Sequence, residues 1–184
     1  SPIVAVYGMG LQGWDGSFSF ASDYPFFTQT LHTPGVYNVM SPLQLSLYPA
    51  LARMIYRNDI KQGEIISTRN VHIPSLAEGN LGFYETVEQQ YDIKDYHGIV
   101  PQEALASSRI VVDFVNSFEK TNSPDLTELL DTEMKIVKSS TDQLVWDFSG
   151  KGFFTINSAS TQGVVGFANE KLINFNDVII QTEN

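Results

Sequence analysis

The densest chemistry in the chain lies in one aromatic-rich stretch. Asp23, Tyr24, Phe26 and His32 fall within 22–40, beside Pro25, Phe27, Pro34, Gly35 and Tyr37. A carboxylate can take the hydroxyls of a sugar, and aromatic rings match the apolar C–H faces of a pyranose. The plainer alternative is that the same rings cover a core. Carboxylates also come in pairs, Glu85 with Glu88 and Asp92 with Asp95, at a spacing that puts each pair on one helical face. Such pairs read as solvated surface; acid/base chemistry or Ca²⁺ binding is the sharper reading, but EF-hand spacing is absent. His72 and His97 stand alone, without metal-ligand spacing to a partner, and read as structural. With no Gly-rich phosphate loop, nucleophile elbow or zinc motif, neither a metal nor a cofactor is expected.

Composition narrows the partners. The 184 residues carry 11 Lys and Arg against 21 Asp and Glu, a formal charge of −10. Nothing offsets phosphate repulsion, which argues against nucleic acid. A neutral ligand such as a sugar suits this balance. There are no cysteines, so disulfides and thiolate metal sites are excluded. No apolar run reaches membrane-spanning length and no signal peptide is visible. The Ser-Pro-Ile start, in place of Met, predicts a processed protein or a piece of a longer one.

The elements that must position these residues follow from periodicity. Ile3, Val4, Val6, Tyr7 and Met9 predict the end of a helix, with Gly8 and Gly10 against it. A Gly13-Trp14-Asp15-Gly16 turn leads to a predicted strand over 17–21, with Phe18 and Phe20 on one side. The long aromatic loop then ends at Ser41-Pro42, a helix start with Ser as N-cap. Leu43, Leu47, Leu51, Met54 and Ile55 share one face of that helix, and Pro49 marks a kink. From Gly63 onward the texture changes. Strands are predicted over 64–73, 110–115, 135–138, 143–148, 152–157, 163–167 and 177–181, with short helices in 76–90, 101–107 and 124–131. Closely spaced strands with Ser, Asn, Gly and Asp in their turns predict an antiparallel sheet, built as a sandwich.

Two segments carry a family resemblance. LQGWDG, a Phe-rich strand and SPLQLSLYPALARMIYRNDIKQGE resemble the last unit of the (β/α)₈ barrel in agarase- and β-galactosidase-like glycoside hydrolases of the retaining clan. The matching positions are Pro42, Tyr48-Pro49-Ala50, Arg53 and Arg57-Asn58-Asp59-Ile60. LVWDFSGKGFFTINSASTQGVVGF is similar to a signature of the β-sandwich that follows such barrels. It matches at Leu144, Trp146-Asp147, Gly152, Phe154-Thr155-Ile156-Asn157, Thr161-Gln162 and Val164 to Phe167. Asn58 stands where the family has Gly, and Ser158-Ala159-Ser160 replaces Thr-Pro-Arg. Residues 74–108 match nothing in the family.

The resemblance implies an α+β, mostly β chain. Residues 1–62 would be the C-terminal end of a (β/α)₈ barrel, and 63–184 a β-sandwich accessory domain. Retaining glycosidases use two carboxylates about 5–5.5 Å apart. The resemblance puts both on strands upstream of residue 1, so no catalytic residue is expected here. Asp23, Tyr24, Phe26 and His32 would then bind substrate, following the last barrel strand at the end where barrel active sites lie. Trp14-Asp15, before that strand, and Trp146-Asp147, in a strand, read as structural. The implied partners are a galactan- or agar-like polysaccharide and an upstream barrel, in a periplasmic, cell-surface or secreted bacterial setting. A strand cut from its barrel exposes unpaired edges, which predicts self-association. The alternative is a free-standing sugar-binding or structural β-sandwich module without catalysis.

Overall fold

The computed structural model describes residues 2–18, 40–80 and 98–183, and the backbone alone of 86–90 and 93–97. The chain opens on a π-helix over Val4–Leu11, apolar and buried on nearly every side. The Gln12 N–H donates to the Tyr7 carbonyl at 2.8 Å, the i→i+5 bond of that geometry. Glycines let the helix run close to its neighbours. A Cβ on Gly8 would lie 2.5 Å from the Trp14 ring, and one on Gly10 would lie 2.7 Å from Ile60 Cγ2. Gly13, at φ +72°, turns the chain out of the helix and folds Trp14 back over Gly8. Ser17 and Phe18 follow without strand structure, and Phe18 is 95% exposed. The rest of the predicted 17–21 strand lies outside the described residues, and no barrel strand is evident among those described.

The predicted helix after Ser41 is two pieces, α1 (Pro42–Leu45) and α2 (Tyr48–Tyr56). Pro49 accounts for the break: it has no N–H to give Leu45, and its ring crowds that carbonyl. It sits instead in the first turn of α2, where the missing donor costs nothing. Ser41 caps α1, its hydroxyl accepting from the Gln44 N–H at 3.3 Å. Of the predicted apolar face, Met54 is buried, and Leu51 and Ile55 pack on the core. Leu43 and Leu47 are left 52% and 37% exposed.

Next come β1 (Ile65–His72), the short helix α3 (Ile73–Ala77), a hairpin of β2 (Thr86–Gln90) and β3 (Ile93–His97), α4 (Ala104–Ser107) and β4 (Arg109–Val115). β1 and β4 pair in parallel, from Ile65 opposite Arg109 to His72 opposite Val115. The remaining strands are antiparallel. β5 (Leu130–Asp131), β6 (Ile136–Lys138), β7 (Leu144–Asp147), β8 (Phe153–Asn157) and β9 (Gln162–Gly166) form a five-stranded sheet in chain order. β10 (Leu172–Asn174) and β11 (Ile179–Gln181) form a separate hairpin. The β-rich, largely antiparallel character thus agrees with the sequence.

Alternation along β8 buries Phe154 and Ile156. They join Val137 and Leu144 from neighbouring strands in one cluster with Val6, Tyr7 and Leu11 of the π-helix, Met54 of α2, and Ile60. The core therefore draws on residues from both sides of position 62. Tyr7 is its centre: its ring lies 5.2 Å from Trp146 and meets Phe154 edge-on, also at 5.2 Å. Its hydroxyl is buried without a hydrogen-bond partner, and burial raises its pKa well above the usual tyrosine value.

Two stability predictions follow from this packing. Tyr7→Phe removes an unpaired polar atom and keeps the ring, so it should leave stability unchanged or raise it by about 1 kcal/mol. A loss above that size in urea denaturation would show that the hydroxyl is paired in solution. Gly10→Ala pushes a methyl into buried Ile60 and should cost about 1–3 kcal/mol. Gly8→Ala meets a ring that is half exposed and free to swing outward, so it should cost less. The reverse ranking would contradict this account of the helix.

Candidate functional site

The predicted sugar-binding residues Asp23, Tyr24, Phe26 and His32 lie outside the described residues, as do Glu85 and Asp92. Glu88 and Asp95 are register partners across the β2–β3 hairpin, so their segments are strands and not the helical face that their spacing suggested. Trp146 is held among Tyr7 and Phe154, as expected of a structural residue. The adjoining Asp147 carboxylate is buried and accepts hydrogen bonds from the backbone and hydroxyl of Ser149. Lys171 Nζ stands 3.9 Å from it.

Gly8, Gly10 and Gly13 have the spacing of a dinucleotide-binding loop, but Gly8 and Gly10 lie inside the π-helix and form no such loop. Their open sides face Trp14, Ile60 and Gln62. They serve packing rather than a phosphate. A crevice of about 20 Å³ opens between the π-helix and α2, bordered by Met9, Met54, Asn58 and Ile60. That admits one water molecule, not a sugar ring. No group of three or more metal-ligating side chains and no helix long and apolar enough to cross a membrane occur among the described residues.

The best-defined polar cluster lies where the end of α2 meets the β8–β9 turn. Asn58 adopts φ +58°, the left-handed conformation that ends many helices. Asn, like Gly, enters that region more readily than other residues. The turn aims Asp59 inward, with its side chain almost fully buried. Arg57 grips it with two donors, Nε to Oδ1 at 3.1 Å and Nη2 to Oδ2 at 2.6 Å. The Thr161 hydroxyl donates to Oδ2 at 2.6 Å, and Arg57 Nη2 also donates to the Ser160 carbonyl at 2.8 Å. Gln143 completes the junction. Its amide nitrogen donates to the Asp59 carbonyl and its oxygen accepts from the Lys61 N–H, both at 2.8 Å. Burial works against the Asp59 charge, but hydrogen bonds from Arg57 and Thr161 and the charges of Arg57 and Arg53 outweigh it, so its pKa is lowered. Both oxygens are engaged. With the carboxylate also almost fully buried, the cluster is a clasp rather than an open site.

A second clasp is built by Gln12. Its Nε2 donates to the carbonyls of Leu105 and Ser108, at 2.8 and 2.5 Å, and its Oε1 accepts from the Ile110 N–H at 3.0 Å. The residue after the π-helix therefore fixes the end of α4 and the start of β4.

One cluster escaped sequence reasoning. His72 ends β1, and its Nδ1 lies 2.8 Å from the hydroxyl of Ser75 in α3. Its Nε2 lies 3.1 Å from the carbonyl of Asn116, just beyond β4, and Phe118 meets the ring edge-on at 5.8 Å. The visible signal was His-x-x-Ser at the close of a strand; the carbonyl came from 44 residues away.

No family model matches the chain, and neither does any curated protein or solved structure.

Asp59 supplies the prediction. Asp59→Asn leaves Arg57 without its counter-charge and should cost about 1–3 kcal/mol, the 37% exposure of Arg57 limiting the loss. A carboxylate with a lowered folded-state pKa contributes fully above its unfolded value, about 4. That contribution fades as pH falls through the lowered folded value. Urea midpoints measured stepwise below pH 5 should therefore fall less steeply in Asp59→Asn than in the parent chain. Parallel curves would uncouple the clasp from folding.

Proposed function

We propose that the chain is the C-terminal portion of a retaining, polysaccharide-active glycoside hydrolase of the (β/α)₈ type, acting on a galactan- or agar-like polymer. The single observation that supports this most is spatial. The two segments on which the resemblance rests are far apart in the chain, yet they meet at the Asp59 clasp: Arg57 and Asp59 from one, Ser160 and Thr161 from the other. Gln143, beside the second segment, adds two more bonds. Packing a barrel's last helix on the following β-domain would call for such a joint. The exposed Leu43 and Leu47 fit the same reading, as a helix face whose cover lies elsewhere. On this reading the nucleophile and the acid/base are upstream. Asp23, Tyr24, Phe26 and His32 form part of the cleft wall, where rings stack on sugar and polar groups take its hydroxyls.

A second reading is favoured by one observation: the π-helix, α2 and the five-stranded sheet share a single core, as a self-standing sugar-binding or structural module would.

Hydrolysis assays on agarose, porphyran and galactan oligosaccharides separate the two. The 184 residues alone should show no turnover, whereas a longer gene product containing them should hydrolyse at least one polymer. Turnover by the 184 residues alone would refute the first reading. A gene that encodes nothing upstream, together with glycan affinity in the isolated chain, would establish the second.

A further inference from the structure

Both strands of the two-stranded parallel pair β1–β4 end on the same side. His72, Ser75 and Asn116 meet at that end. The hydrogen-bond chemistry fixes their polarity. The Asn116 carbonyl can only accept, so His72 Nε2 must carry the proton and donate it across 3.1 Å. In the neutral ring Nδ1 then holds the lone pair, and the Ser75 hydroxyl is the donor of the 2.8 Å bond. A hydroxyl donating to an imidazole whose second nitrogen is held by an acceptor is the arrangement that activates a serine nucleophile. Both side chains are part-exposed, so a reactant can reach them. Around them Ile73, Leu76 and Phe118 present exposed apolar surface, suited to an acyl or aryl group rather than a charged one.

We propose that Ser75 is a nucleophile with His72 as its general base, acting on small neutral acyl esters. Ser75 Oγ attacks the ester carbonyl carbon while its proton passes to His72 Nδ1. The tetrahedral adduct collapses, the bond to the alcohol oxygen breaks, and the departing alcohol takes the proton from Nδ1. Water, deprotonated by the same nitrogen, then attacks the acyl-serine, releasing the acid and restoring the hydroxyl. The Asn116 carbonyl holds the ring in place throughout. This activity is independent of the glycoside hydrolase reading.

Diisopropyl fluorophosphate is the direct probe, because it forms a stable serine adduct as fluoride leaves. Treatment of the full chain followed by peptide mass spectrometry should find the adduct on Ser75 and none there in Ser75→Ala. His72→Phe should slow the labelling by about a hundredfold. His72→Gln, which keeps a hydrogen-bonding side chain but supplies no base, should slow it comparably, and circular dichroism identifies which variants are folded. Release of 4-nitrophenol from 4-nitrophenyl acetate should fall in the same order. Absence of a Ser75 adduct, or an adduct forming at the parent rate in a folded His72 variant, would overturn the proposal.

Discussion

Tyr7 is the point from which the rest of the described structure is organised. A ring wedged between Trp146 and Phe154 fixes the π-helix on the sheet. Aromatic contacts of this kind add about 0.5–1.5 kcal/mol to the area they bury. Once the helix is placed, Gln12 is placed too, and with it the carbonyls of Leu105 and Ser108 and the N–H of Ile110. The parallel pair is thereby oriented by a residue from the far end of the chain. The same placement sets Gly10 against Ile60, and Ile60 adjoins the Asp59 clasp. An orphaned hydroxyl on Tyr7 is the cost of putting so large a ring at the centre.

Polar residues do what the apolar core cannot: they choose between alternative arrangements of similar burial. Asp59 accepts from Arg57 and Thr161, so both the helix end and the β8–β9 turn must be correctly formed for the two bonds to be made together. Buried charge is stabilising only when every partner is present. Ser108 behaves alike, its hydroxyl donating to the Glu64 carbonyl while paired with Ser140. These groups make the fold specific, whatever it does.

Local chemistry was legible where it is self-contained. Ser41 caps a helix because its hydroxyl needs only a backbone N–H three residues on. Pro49 disrupts the helix because its clash is with its own preceding turn. The strands at 65–72, 109–115, 144–147 and 153–157 announce themselves through β-branched and aromatic residues. Partners distant in sequence were not legible. Nothing in Ile65 or Arg109 says that their strands run parallel, nothing in Gln12 reveals its three acceptors and donors, and Leu172 to Asn174 is too short to alternate. Carboxylates three apart fit a helix by spacing, but Glu88 and Asp95 are register partners across a hairpin. The Asp59 junction was half visible: each motif could be read, but not their contact.

The parallel pairing of β1 with β4 has a consequence for how the chain finds its shape. The antiparallel sheet closes through turns of four or five residues, whereas β1 and β4 cannot meet until the whole 73–108 segment has looped back. Closing a loop several times longer costs about 2 kcal/mol more in chain entropy. That cost falls before any contact repays it, so the meander is the natural nucleus and the parallel pair a late arrival. The Gln12 clasp spans almost a hundred residues, a still longer closure, like a latch on the frame. Residues brought together by the parallel pairing, His72 and Asn116 among them, are neighbours only once that long loop has closed.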